Sequence, residues 1–168
     1  ADQPIAHGMV SSALESAQKK IEGFHFDARK STLEYDTVLA HQRGIIYSRR
    51  RAMVEGDKEH VQGVFESLVG DNEEVKDLIV KKEKELGSDP FWDTVRRIIL
   101  YTTDTLWVEH IDTLEHMRQS VGLRAYGQRE PLVEYKKEAT ILFKEMEERL
   151  KEQVTTMVSG ISPQLKVS

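Results

Sequence analysis

The pairs Glu109-His110 and Glu115-His116 come nearest in this sequence to an acid–base or metal-binding arrangement. Neither has the spacing such chemistry requires. Neighbours on a helix point about 100° apart, so a glutamate beside a histidine is not a ready proton partner. His110 and His116 are six apart and lie on different faces, the other histidines are scattered, and no HExxH pair occurs. The absence of cysteine removes disulfides, thiolate zinc sites, cysteine nucleophiles and iron–sulfur ligation together. No GxxxxGK[ST] string supplies the Gly-rich turn and lysine of a phosphate-binding loop, so ATP hydrolysis by this chain alone is not expected. No catalytic residue and no metal site is assigned.

Three features remain that suit contact rather than chemistry. Arg49-Arg50-Arg51 is able to meet phosphate or an acidic partner, but cations are also what the dipole favours near a helix C-terminus, and the structural role is preferred. Trp92 and Trp107, fifteen residues apart, fall on nearly one side of a helix and read as packing anchors. Tyr126 differs, because it sits between Gly122 and Gly127 among charged residues in a loop, where an aromatic ring is hard to bury. A contact function is favoured there. With 24 Lys+Arg against 29 Asp+Glu the net charge is −5, so no global positive field draws nucleic acid or anionic lipid. A nucleic-acid-binding hairpin using Arg49 to Arg51 and Arg124 is accordingly disfavoured.

The elements that must carry these residues are helical. In 168 residues, 39% are apolar and 32% charged, against a usual charged share of about 25%, which favours long helices with wide polar faces. The longest strongly apolar stretch, near Ile98–Tyr101, is far short of the roughly 18 residues a membrane span needs, and no signal segment opens the chain, so a soluble chain is expected. Val10, Leu14, Ala17 and Ile21 predict a short helix over Met9–Ile21, closed by Gly23. A long helix over Phe24–Val54 follows, with Tyr35, Val38, Leu39, Gln42, Ile45, Ile46 and Met53 on one stripe. Residues 58–87 read as a small helical pair, the second member capped by Asp71. Asp89-Pro90 restarts the chain with an N-cap and a first-turn proline, and Trp92, Val95, Ile99, Leu106, His110, Leu114, Met117 and Val121 carry the period to Val121. The β-branched cluster between Ile98 and Thr105 leaves a strand open there, with helix preferred. From Pro131, the residues Leu132, Tyr135, Ala139, Leu142, Met146, Leu150, Val154 and Met157 form a third stripe, giving an antiparallel hairpin with its tip at 123–128. Glu147 is taken as an exposed position of that last helix.

The local strings add to this. Phe26-Asp27-Ala28-Arg29-Lys30, Leu33 to Val38 and Gln42-Arg43-Gly44-Ile45-Ile46-Tyr47-Ser48-Arg49-Arg50 closely resemble the helical scaffold of the SecA family, ATP-driven motors of bacterial preprotein export. Leu106-Trp107-Val108-Glu109-His110-Ile111-Asp112, Met117-Arg118-Gln119 and Gly122 to Lys136 resemble the same family's two-helix finger. The opening Asp2-Gln3-Pro4-Ile5 and Met9-Val10-Ser11 resemble the entry into the scaffold.

The resemblance implies an all-α, elongated scaffold with one long central helix, divided as scaffold (1–54), a reduced helical wing (55–88), scaffold plus two-helix finger (89–160) and a tail (161–168). It implies a fragment of a longer translocase that is not an enzyme on its own and needs no cofactor, the ATP and magnesium belonging to motor domains elsewhere in the parent. The implied partners are those motor domains, the parent's preprotein cross-linking domain, the SecY channel complex and unfolded preprotein, with no sequence-specific nucleic acid. The implied place is the bacterial cytoplasm, peripherally at the inner face of the plasma membrane. By position Tyr126 matches the fingertip tyrosine, flanked by Leu123, Arg124 and Gln128, and Arg129 is a further candidate for contact with the channel. A free-standing helical adaptor or oligomerisation module is the alternative that composition and periodicity leave open.

Overall fold

The computed structural model describes residues 3–124 and 131–162, with side chains from residue 8 to 121 and from 131 to 162. Five helices account for nearly all of them: α1 (Gln3–Glu55), α2 (Lys58–Val69), α3 (Glu73–Leu86), α4 (Ser88–Arg124) and α5 (Pro131–Ser159). The expected all-α architecture is present, and among the described residues no helix is long and apolar enough to cross a membrane. The open strand reading at 98–105 resolves as mid-α4.

The first expected helix and the second are one. Gly23 does not close anything, and α1 runs 53 residues without a break, about 80 Å at 1.5 Å per residue. A lone interior glycine costs only about 1 kcal/mol against alanine, too little to stop a helix whose flanks are helix-compatible and offer no alternative cap. The break comes at Gly56. Its N–H bonds to Ala52 O at 3.0 Å, and a Cβ there would lie 2.3 Å from Ala52 O and 2.6 Å from His60 Cβ. Asp57 then caps α2, its carboxylate accepting from the His60 N–H at 3.0 Å. Two further starts differ from expectation, by one residue for α3 and by two for α4. Asn72, not Asp71, caps α3 by accepting from Val75 N–H, while Asp71 lies 3.3 Å from Lys76. Ser88, not Pro90, begins α4, and the Phe91 N–H bonds to Gly87 O, so Asp89 sits inside the first turn.

Packing begins only at residue 34. Along α1 the inward residues Tyr35, Leu39, Gln42, Ile46, Arg49 and Met53 alternate steps of four and three, the spacing of a coiled-coil seam. Pairings along that seam fix the directions of the other long helices. Tyr35 meets Tyr135, Gln42 meets Ala139 and Arg49 meets Glu147, so α5 runs parallel to α1. Asp36 meets Arg118, Gln42 meets His110 and Arg50 meets Asp104, so α4 runs antiparallel to both. All eight α4 residues predicted on the stripe, Trp92 through Val121, are buried. On the other stripes Ile45 and Met157 face solvent instead, Val158 taking the last inward place on α5. The two short helices close the far end, with Phe65 and Phe91 edge-on to Trp92 and the Trp92 Nε1–H donating to Glu83 at 3.0 Å. Arg96 donates to Met53 O at 2.8 Å, satisfying a carbonyl that the end of α1 would otherwise leave orphaned.

Residues 8–33 of α1 touch none of this. Met9, Val10, Leu14, Ile21, Phe24, Phe26 and Leu33 are all more than half exposed. The total accessible surface of 12198 Å² compares with about 8,500 Å² for a compact chain of this mass.

Three outcomes follow. X-ray scattering in dilute solution should give a radius of gyration clearly above the roughly 15 Å of a compact 168-residue domain; a value at that limit would contradict the projecting helix. Gly56→Ala should lose on the order of 2 kcal/mol in denaturant melts, while Gly63→Ala, with open space at its Cβ, should gain up to about 1 kcal/mol. Burial holds the His110 imidazole below its ordinary 6.5, so below that pH the unfolded chain binds a proton that the folded chain refuses. Stability present above pH 6.5 should therefore fall as the pH drops, and His110→Asn should flatten that part of the profile.

Candidate functional site

Among the described residues the α4–α5 hairpin ends at Arg124 and Pro131, and its seat on α1 decides where those two helix ends lie. Nearest the tip, Leu114, Met117 and Val121 of α4 pack with Tyr135 and Ala139 of α5, and Tyr35, Val38 and Leu39 of α1 lie against them. The hairpin is thus a three-helix unit up to its last described turns. Tyr35 and Tyr135 meet edge to face with centroids 4.8 Å apart. The Arg118 guanidinium lies 5.4 Å from the centre of the Tyr35 ring and reaches Asp36 at 3.4 Å. Lys136 reaches Glu34 at 3.6 Å. Burial pushes the Tyr135 hydroxyl above its usual 10, so it stays neutral through the physiological range.

The middle of the seat is a buried polar chain. Gln42 donates through Nε2 to Ala139 O at 3.0 Å, and its Oε1 lies 2.8 Å from His110 Nε2. His110 is packed between Trp107 and Phe143, with ring centroids at 5.7 and 5.6 Å. Farther along, both terminal nitrogens of Arg49 meet the Glu147 carboxylate, at 3.0 and 2.6 Å. That two-pronged geometry is the strong form of the pair, and it is half-buried.

The arginine triplet therefore has structural partners. Arg49 holds α5, Arg50 holds Asp104 of α4 at 3.1 Å, and Arg51 lies 3.9 Å from Glu55 on its own helix. The dipole account does not apply, since α1 ends at Glu55 with no basic residue in its last turn. Glu147 is not the free surface position expected of it. Trp92 and Trp107 are both core residues, as predicted. Between α1 and α4 an open groove remains, lined by Ile46, Tyr47, Val54, Trp107 and Val108 and crossed by the Arg50–Asp104 pair.

The predicted tip residues fall largely beyond this frame. Leu123 and Arg124 close α4 as backbone, but their side chains lie outside the described residues, as do Tyr126, Gln128 and Arg129 altogether. The arrangement brings the described end of α4 near the described start of α5, where Val121 and Tyr135 share one core cluster. Sequence reasoning placed Gln42 on the stripe without giving it a task, and it missed the Arg118–Asp36 and Arg49–Glu147 contacts. A glutamine within an apolar stripe, and a single alanine within the α5 stripe, were the available signals.

The family described as SecA Wing and Scaffold domain matches residues 4–84 and 71–162. The Protein translocase subunit SecA of Clostridium acetobutylicum is 34% identical over 203 positions, covering 89% of this chain and 24% of that protein. Those of Dehalococcoides mccartyi and Halothermothrix orenii are 33% and 31% identical, covering 97% and 91% of this chain and 23% and 24% of the relatives. The chain thus spans about a quarter of the length of the curated relatives it matches. The alignments run over 203 to 215 positions, more than the 168 residues here, so the relatives carry residues without counterparts in this chain. The two family matches cover the chain almost end to end, across both the long helix and the hairpin seated on it, and the chain belongs to the SecA wing and scaffold family.

Proposed function

We propose that this chain is the non-catalytic helical scaffold and two-helix finger of a SecA-type protein translocase, passing movements of the parent's ATP- and magnesium-binding motor domains to a hairpin tip that touches the exported chain. The observation that carries the reading is mechanical. One helix of 53 residues is locked to a hairpin through half its length and offers a bare apolar stripe, Val10, Leu14, Ile21 and Phe24, through the other half. A spine needs both: one end fixed to what it moves, and another open to what moves it. The bare half receives the motor and preprotein cross-linking domains of the parent, and α2 with α3 is the reduced wing. The length of the relatives supports this, because three-quarters of each lies outside the matched region.

At the tip, Tyr126 meets unfolded preprotein. A tyrosine ring stacks on many side chains without demanding a particular sequence, and its hydroxyl bonds to exposed backbone, which suits a substrate of variable sequence. Leu123, Arg124 and Gln128 flank that contact. Arg124 and Arg129 carry guanidinium groups that recognise carboxylates and carbonyls of the SecY channel mouth. On this reading the chain works at the cytoplasmic face of the bacterial plasma membrane, held there by the channel and not by a span of its own.

Photo-crosslinking from position 126 in the full-length translocase, stalled on a preprotein at its channel, tests the reading. The control belongs at Glu148, which is exposed, because Glu147 is engaged by Arg49. Crosslinks to the stalled chain from 126 and not from 148 are expected. Labelling at neither site while transport continues would remove the substrate contact from Tyr126.

A further inference from the structure

We propose that Gln42, together with His110 and the backbone of Ala139, is a register key that fixes the hairpin at one axial position on α1. The need for a key lies in the seam itself. Leu39, Ile46 and Met53 line the seam on α1, and inward residues of α5 recur at every turn, so an apolar side chain of α1 meets a similar hole after a slide of one turn. The alternate row breaks that degeneracy, because its members Tyr35, Gln42 and Arg49 are unlike and each has one matching partner: an aromatic edge, a backbone carbonyl and a carboxylate.

Gln42 is the member buried in the middle of the seam, 4% exposed. Its amide nitrogen is spent on a carbonyl, so its oxygen faces His110 and accepts. The imidazole hydrogen must then sit on Nε2. The chain of donors runs one way, His110 to Gln42 to Ala139, and ties three helices together. Ala139 supplies the only notch for it among the inward residues of α5 nearby. Tyr135 and Phe143 lie one turn to either side, and each carries a large ring in place of a methyl group, set against Tyr35 and His110 respectively. A hairpin displaced by one turn would leave the Gln42 amide and the His110 imidazole buried without partners, which is costly where water cannot enter. Exposed pairs such as Arg149–Glu109 impose no such penalty, since water replaces them. The inference concerns the seating of the hairpin and stands whether or not its tip meets an exported chain.

The test is a distance measurement along the axis. Spin labels at Lys30 on α1 and Glu152 on α5, both exposed, are separated mainly along the bundle, so a slide reads out almost directly. In the unaltered chain one narrow distance is expected. In Gln42→Leu/His110→Leu, with helix content retained by circular dichroism, the distribution should broaden or gain a component displaced by about 5 Å, one helical turn. Gln42→Met keeps side-chain length while removing the amide and should act likewise, and Arg149→Ala should leave the narrow peak. An unchanged narrow distance in both Gln42 variants would overturn the proposal, as would finding the His110 hydrogen on Nδ1 by long-range nitrogen–proton correlation.

Discussion

The parallel seam between α1 and α5 is the constraint on which the remaining elements depend. Two helices that run the same way cannot be joined by a short turn, so the chain must travel the length of the bundle before α5 begins. It does so through α4, which returns antiparallel and fills the third side. The short pair α2 and α3 occupies the resulting turn-around, where Phe65, Phe91 and Trp92 make a compact aromatic plug. Arg96 reaches from α4 to the end of α1 at that same place, so the C-terminus of the long helix is held by charge as well as by packing.

How much of this the sequence made legible depends on which force decides each feature. Periodicity is written by burial, so the α4 stripe was readable residue by residue. Ile45 and Met157 were misassigned because each lies beside an inward neighbour, Ile46 or Val158, and a 3.6-residue repeat does not choose between adjacent flank positions. A single glycine such as Gly23 does not stop a helix whose neighbours on both sides favour it. The α3 cap falls one residue later than expected because Asp71 and Asn72 are adjacent and both residue types cap well. The hairpin's polar seat stayed hidden for a different reason. Contacts between residues nearly a hundred positions apart, such as Arg49 with Glu147, are set by helix register, which no local pattern encodes.

The family match and the geometry speak to different parts of the molecule. The matched segments overlap across residues 71–84, from the turn before α3 through most of that helix, while the relatives align over more positions than this chain contains. In the helical pair α2 and α3, Val61, Phe65, Val75 and Ile79 are all committed to the core.

The bare half of α1 has a consequence in linked equilibria. A solitary helix in water gains little from its own hydrogen bonds, and most helical stability in proteins comes from packing one face against something. Residues 8–33 have no such support within the described chain. Any surface that covers their apolar stripe would bind and reinforce the helix in one event, so its affinity would include the free energy of ordering those turns. Covering and stiffening are then one equilibrium, and a partner that lets go returns the spine to a softer state. Stiffness along α1 becomes a quantity that occupancy sets.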